Sequence, residues 1–445
     1  MRYLQRLLGS HTTRQAPLSL GEGPGVRFFG CAACTNRRIA LKLFLLASCW
    51  LGASGAARAQ GKLSGVVQDS VTHEPLAFAS VFLANTTLGV TTTEQGTFEF
   101  PKVPAGTYDV VGSYVGYRLG KQSVAVGPAT KPVTLLLAPT GNQLGEVVVK
   151  PAPNKPEEYQ KFAELFLGGT TFSEQCRISN PDQVLVLYDD STKELTARAR
   201  QFAQIDNDAL GYRLKYYGLE FSYNTEDQTI SYYGEPVFEE MTPRDEEQRR
   251  QWAANRATAY TGSLMHFLRS VHANRLQAEG FLTQQMRVVP NPHFARVQRR
   301  ATGAFTRTER DSLAQWDRAA PVFARLYPAA LPIDSLRRVS ADGQHTYLRF
   351  TGELQVAHFG EAPDPRYRRP MSPLGPARPP YPAQRQVSRL RLQEGEAEAE
   401  IQANGAPLNP LEILAGEYWG FERIGDFMPF DYVLPAASTP TPANP

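Results

Sequence analysis

Cysteine and histidine are scarce in this chain of 445 residues. There are four cysteines and seven histidines. Three of the cysteines, Cys31, Cys34 and Cys49, fall before residue 60, which leaves Cys176. One cysteine closes no internal disulfide, so stability beyond residue 60 rests on packing. The histidines make a poor metal set. A zinc carboxypeptidase needs His-x-x-Glu and a later His, so that three protein ligands leave one position open for water. The one such pair, His358-Phe359-Gly360-Glu361, contains the last histidine of the chain. No H-E-x-x-H or G-x-S-x-G occurs, so the metalloprotease and serine-hydrolase signatures are missing. Cys176 has His266 and His272 as partners in number only. No metal, cofactor or catalytic residue is assigned.

Long apolar runs are also missing after residue 60, so no membrane-spanning helix is expected once the leader is removed. The leader itself is present. Asn36-Arg37-Arg38 forms a basic n-region, residues 39–55 are mostly apolar, and Ala57-Arg58-Ala59 offers an A-x-A site before Gln60. Leu46-Ala47-Ser48-Cys49 resembles a lipoprotein cleavage box, so a lipid anchor at Cys49 is a second processing route, less favoured because the apolar run continues past it. Residues 1–35 are unusual for an n-region and read as a spurious extension ahead of a start near residues 33–38. Residues 1–59 hold eight of the 47 basic residues and one of the 44 acidic ones. The remaining 39 basic and 43 acidic residues remove the basic excess that would suggest nucleic acid.

Residues 60–139 show about seven short strand patterns with turn signals between them, which predicts an antiparallel β-sandwich. In Thr97-Phe98-Glu99-Phe100 both phenylalanines lie on one face. Gly65-Val66-Val67-Gln68-Asp69, Glu74-Pro75-Leu76-Ala77-Phe78-Ala79-Ser80-Val81, Gly96-Thr97-Phe98, Pro104-Ala105-Gly106-Thr107-Tyr108 and Val115-Gly116-Tyr117 stand in order across 61–138. Together they resemble the carboxypeptidase-D regulatory-like domain. The resemblance implies a seven-stranded, prealbumin-like sandwich, an accessory module without catalytic residues. Such modules stand beside peptidases, at the start of TonB-dependent receptors and in many envelope proteins. A receptor barrel needs about 22 strands, too many for the residues that follow. Leu144-Gly145-Glu146-Val147-Val148-Val149-Lys150 resembles the segment after this sandwich in receptors and reads here as part of a linker over 140–156, stiffened by Pro151, Pro153 and Pro156.

Residues 157–435 read as an α+β domain. An amphipathic helix is expected over 157–167, ending at Gly168-Gly169, and a helical stretch in two pieces over 244–278, capped by Thr242 and Pro243. Strands are expected over 183–188, 195–201, 212–223, 229–233, 345–358, 386–392 and 396–402. A proline-rich loop covers 370–382, and 436–445 is a disordered tail. Phe166-Leu167-Gly168, Cys176-Arg177-Ile178-Ser179-Asn180-Pro181, Asn207, Leu210-Gly211-Tyr212 and the 418–426 run resemble the C-terminal region of uncharacterised envelope proteins that carry the same sandwich. That resemblance implies no activity.

The densest aromatic and charged cluster closes the chain. It runs Glu417-Tyr418-Trp419-Gly420-Phe421-Glu422-Arg423-Ile424-Gly425-Asp426 and then Asp431-Tyr432. Rings stack on the apolar face of a sugar and carboxylates hydrogen-bond its hydroxyls. Tyr418, Trp419, Arg423, Asp426 and Asp431 are therefore the candidate ligand-binding residues, against the alternative that they seal a core. The expected protein is exported and non-enzymatic, in the periplasm or on the outer-membrane surface of a Gram-negative bacterium, with a glycan or an envelope protein as partner. A hydrolase acting on envelope glycan or peptide through 157–435 is the alternative.

Overall fold

The computed structural model describes residues 60–140, 154–226, 228–291, 322–368 and 385–435. The leader, Cys49, most of the linker, the proline-rich loop and the C-terminal tail lie outside them. Residues 58–445 form one unit.

The first seven strands are β1 (Gln60–Asp69), β2 (Ser80–Leu83), β3 (Gly89–Thr91), β4 (Thr97–Pro104), β5 (Gly106–Ser113), β6 (Gly120–Val126) and β7 (Val133–Leu137). They form two sheets, β4-β1-β7 and β3-β2-β5-β6, the sandwich that the alternation predicts. Leu63, Val67, Val81, Leu83, Phe98, Phe100, Val110, Leu135 and Leu137 fill its core. β1 and β7 pair in parallel, with Gly65 opposite Val133. A Cβ at Gly65 would lie 2.1 Å from the Val133 carbonyl oxygen and 2.7 Å from the Phe98 ring, so the close approach of strand and ring requires glycine. Asp69 and Tyr117, from opposite ends of the resemblance, meet. The Tyr117 hydroxyl donates to Asp69 Oδ2 at 2.7 Å. That bond, and those from the Val71 and Thr72 N–H groups, hold the Asp69 carboxyl below its usual range.

The next layer is a sheet of β8 (Cys176–Ile178), β9 (Val184–Asp189), β10 (Glu194–Ala199), β11 (Phe202–Asn207), β12 (Tyr212–Asn224) and β13 (Ile230–Glu240). Its order is β8-β11-β12-β10-β9, with β13 on β12. Helix α1 (Pro156–Leu167) lies on it, with Phe162 and Phe166 packed edge-on against Phe221 at 5.1 and 6.2 Å. Pro156 is thus an N-terminal residue of the helix, where its missing N–H is no loss, not part of the linker. Helices α2 (Glu246–Tyr260) and α3 (Leu264–His272) follow. The N-cap of α2 is Asp245, whose side chain accepts from the Gln248 N–H, in place of Thr242.

The last third contains a five-stranded sheet in the order β15-β14-β18-β19-β21 and a small sheet β16-β17-β20. The strands are β14 (Phe281–Pro290), β15 (Val322–Ala330), β16 (Arg337–Val339), β17 (Thr346–Arg349), β18 (Glu353–His358), β19 (Gln386–Leu392), β20 (Glu398–Ile401) and β21 (Ile413–Glu417). The one-turn helices α4 (Ile333–Leu336) and α5 (Tyr418–Phe421) complete it. The single strand expected over 345–358 is two strands in different sheets, β17 and β18. Between them Gly352 takes φ +73°, and a Cβ there would lie 2.8 Å from the Met286 carbonyl oxygen. Strands β8, β11, β14, β15, β16 and β21 were not expected from the sequence.

The sandwich is bound directly to this second region. Phe82 stacks on Tyr217 with ring centroids 4.8 Å apart, in a small core with Ala84, Val111 and Val237. The tip after β2 runs alongside β13. Asn85 N–H donates to the Pro236 carbonyl at 2.6 Å, and the Thr86 carbonyl accepts from the Phe238 N–H at 2.9 Å. Lys121 of β6 pairs with Glu235 at 2.6 Å and with Asp109 at 2.8 Å. Phe82→Ala should lower stability by about 3–5 kcal/mol, because it removes the largest apolar side chain that the sandwich places in this core. Chemical denaturation checks it. A loss below about 1 kcal/mol would mean that the junction contributes little.

Candidate functional site

A cavity of about 390 Å³ lies at this junction, within the roughly 300–1,000 Å³ typical of small-ligand pockets. Asn85, Thr107, Tyr108, Asp109 and Ser123 line it from the sandwich. Tyr232, Met265, Leu268, Gln402, Trp419, Glu422, Asp426, Phe427 and Phe430 line it from the second region. The wall is mostly apolar and aromatic, with polar groups at intervals. Three carboxylates line it and no Lys or Arg does.

Its floor is built by the closing segment. After β21 the chain reverses at Glu417, a non-glycine residue at φ +58°. This drives Trp419 inward, where its Nε1–H donates to the Gly262 carbonyl at 2.8 Å and its ring packs 5.3 Å from Phe267. Trp419 is 6% exposed, so it anchors the core with one side and reaches the cavity with another. Arg269 of α3 clasps the rest of the segment. Its guanidinium donates to the carbonyls of Asn404 at 2.8 Å, Tyr432 at 2.9 Å and Phe430 at 3.0 Å.

The five candidate residues therefore part company. Trp419 and Asp426 line the cavity. Tyr418 does not: its hydroxyl accepts from the Asp364 N–H at 3.0 Å and its ring meets Tyr367 at 5.1 Å. Arg423 turns away, donating to the Leu165 and Gly420 carbonyls, where a cation satisfies the C-terminal end of α1. Asp431 accepts from both the N–H and the hydroxyl of Thr87, and so ties the closing segment to the sandwich. Glu422, Gln402 and Tyr108 were not singled out, though all three line the cavity.

Glu422 and Asp426 set the electrostatics. Asp426 Oδ2 accepts from the Thr170 hydroxyl at 2.9 Å, yet burial pushes its carboxyl up to about 7. Burial first, then the charges of Asp426, Glu361 and Asp364, push Glu422 well above the usual carboxylate range. Glu361 is pushed up to about 8 by burial. At neutral pH Glu361 is therefore largely protonated and Asp426 about half so, and burial favours the neutral form of Glu422.

The His358–Glu361 pair sits beside this group. His358 is buried between Phe281 at 4.7 Å and His266 at 5.7 Å. Burial lowers its pKa to about 4, so it is a neutral imidazole. Among the described residues its Nδ1 and Glu361 Oε2 have no hydrogen-bond partner. Among the described residues no group of three His, Cys, Asp or Glu has a geometry that holds a metal. Cys176 donates weakly to the Phe172 carbonyl at 3.5 Å, and burial pushes its thiol up to about 12. That keeps it out of the thiolate form a nucleophile needs.

Residues 63–149 match the CarboxypepD_reg-like domain. The sandwich strands, the Asp69–Tyr117 bond and the Gly65 close approach all lie within this domain. No curated protein matches the chain. Among solved structures, a double mutant of the shaft pilin SpaA from Lactobacillus rhamnosus GG is 16% identical over 19% of this chain, with a TM-score of 0.16. The chain spans about half of that pilin, 47% of its length. A putative carbohydrate binding protein from Bacteroides uniformis is 12% identical, covering 40% of this chain and 79% of its own, at a TM-score of 0.15. A putative membrane-associated protein of unknown function from Bacteroides fragilis is 13% identical, covering 81% and 96%, at 0.16. Among the described residues no helix is long and apolar enough to cross a membrane.

The buried acids make stability pH-dependent. A carboxyl whose folded pKa lies above its unfolded value of about 4 contributes stability that is complete below that value and lost as pH rises through the folded pKa. For Asp426 and Glu361 that upper limit is about 7 and about 8. His358 acts oppositely: its contribution is complete above about 6.5 and lost as pH falls through about 4. Between about pH 6.5 and 8 only the acids among these groups are losing stabilising protons, so Tm should fall as pH rises, and Glu361→Gln should flatten the fall. Thermal unfolding across this window checks it, and a Tm that rises with pH would contradict the assignment.

Proposed function

We propose that this is an exported, non-enzymatic cell-envelope protein that binds a ligand in the junctional cavity, with a glycan fragment as the first candidate. On this reading 60–139 and 157–435 are two domains that together form one binding site, and the leader delivers the chain to the periplasm or the outer-membrane surface. The observation that carries it is the cavity: its size suits a mono- or disaccharide, and aromatic rings alternate in its wall with side chains that hydrogen-bond hydroxyls. Trp419 and Asp426 are ligand-binding residues here, joined by Glu422. Tyr418, Arg423 and Asp431 hold the frame.

The hydrolase alternative is less well supported. Glycoside hydrolysis needs one carboxyl kept protonated and another kept ionised. Burial pushes Glu422 and Asp426 in the same direction, so they do not divide into acid and base.

The test is a glycan array with the chain beginning at Gln60, run beside Ala415→Trp. Ala415 lies on the exposed edge strand β21 and lines the cavity, so a large ring there blocks the mouth without disturbing the core. Binding by the parent that falls at least about tenfold in Ala415→Trp supports the reading. Equal binding by both would move the site elsewhere, and no binding by the parent would remove the glycan. Trp419→Ala is a weaker probe, since it should destabilise the fold by about 3–5 kcal/mol and lose binding for that reason alone.

A further inference from the structure

The charge pattern of the cavity narrows the ligand. Asp109 shares the Lys121 ammonium with Glu235. Glu422 and Asp426 are not neutralised. The Arg423 guanidinium, from the same segment, is committed to the Gly420 and Leu165 carbonyls. Asp364, from the segment after β18, adds like charge, and Glu361 from the same segment adds it once ionised. Tyr232 from β13, Tyr418 from α5, Thr170 after α1 and Cys176 from β8 are further polar groups around the pair among the described residues, and none of these is a cation. Asp426 has a hydroxyl donor in Thr170, whereas among the described residues no side-chain donor reaches the Glu422 carboxyl. Glu422 retains some accessible surface, and the space it faces is the cavity. A buried carboxyl without a donor is satisfied by protonation or by a cation. Without a ligand the first holds. A ligand with an ammonium group would supply the second, giving charge-assisted hydrogen bonds in a low-dielectric site. The aromatic walls favour a cation further. Asn85, Thr107, Ser123 and Gln402 give the wall neutral polar positions suited to a hydroxylated body rather than a plain alkyl chain.

We propose that the cavity takes a sugar bearing a free amine, with the ammonium on Glu422 and Asp426 and the ring between Trp419 and the sandwich wall. This rests on the glycan reading above and specifies it.

The experiment compares glucosamine oligomers with N-acetylglucosamine and glucose oligomers of equal length, by calorimetry on the chain beginning at Gln60. A lysine tripeptide serves as a second amine source. Glucosamine oligomers should bind at least about tenfold tighter than either neutral series, Glu422→Gln should bring that preference close to one, and Ala415→Trp should abolish binding of all sugars. Glu422→Gln removes a charge without removing volume, and its thermal unfolding shows whether it folds. If N-acetylated or neutral oligomers bind as tightly, the amine inference is overturned and the glycan reading stands. If the lysine peptide binds tighter than the amino sugars, the sugar assignment is overturned. If no sugar binds, both readings fail together.

Discussion

The tip after β2 is the constraint on which the rest of the architecture depends. Four residues, Ala84 to Thr87, leave the sandwich core and engage two separate parts of the second region, β13 and the closing segment. Asn85 and Thr86 exchange backbone hydrogen bonds with β13. The Asn85 carbonyl also accepts from Phe430 at 2.7 Å, and Thr87 donates to Asp431. Sheet-like backbone pairing of this kind fixes relative position far better than side-chain contact, because each bond has its own direction. A linker alone would leave sandwich and sheet free to pivot. Here the position is set, and the volume left between them is a property of the fold.

The walls of that volume come from separate parts of the fold. β5 and β6 bring one pleated face, the 402–406 turn and α3 bring another, and the closing segment crosses beneath both. Gly405, at φ +84°, sits against α3 so closely that a Cβ would lie 2.6 Å from the Met265 carbonyl oxygen. The hairpin therefore cannot move inward without losing its turn. Arg269 holds both the hairpin and the closing segment through three carbonyls. The cavity is bounded by backbone fixed in place, which is how a preformed site avoids paying ordering entropy when a ligand arrives.

Much of the sandwich was legible because its signals are local. Alternation in Thr97-Phe98-Glu99-Phe100 and turn glycines at Gly96 and Gly106 need nothing from elsewhere in the chain. The second region was legible where an amphipathic stripe and a terminal glycine marked a helix, as in α1. It was not legible at β14, where Gln284 and Gln285 interrupt the alternation, or at β21, whose Ile-Leu-Ala-Gly-Glu reads as loop until β19 pairs with it. Strand identity there comes from a distant partner. The site divided in the same way. Trp419 and Asp426 stood out as an aromatic and an acid in one dense cluster. Tyr108 and Gln402, nearly 300 residues apart in sequence, are brought to the same wall only by the junction, and nothing in their neighbourhoods marks them.

The closing cluster shows why composition alone could not choose between a core and a ligand site. It is both. Trp419 donates to Gly262 and packs on Phe267, Tyr418 accepts from Asp364, and Arg423 finishes a helix, all of which are core duties. Glu422 and Asp426 do not share them. A segment used only to close a core would place apolar residues there, since two buried acids without a cation weaken the fold as pH rises. Their retention beside three committed neighbours is physically consistent with a requirement outside the fold, and the cavity they face is where that requirement would act.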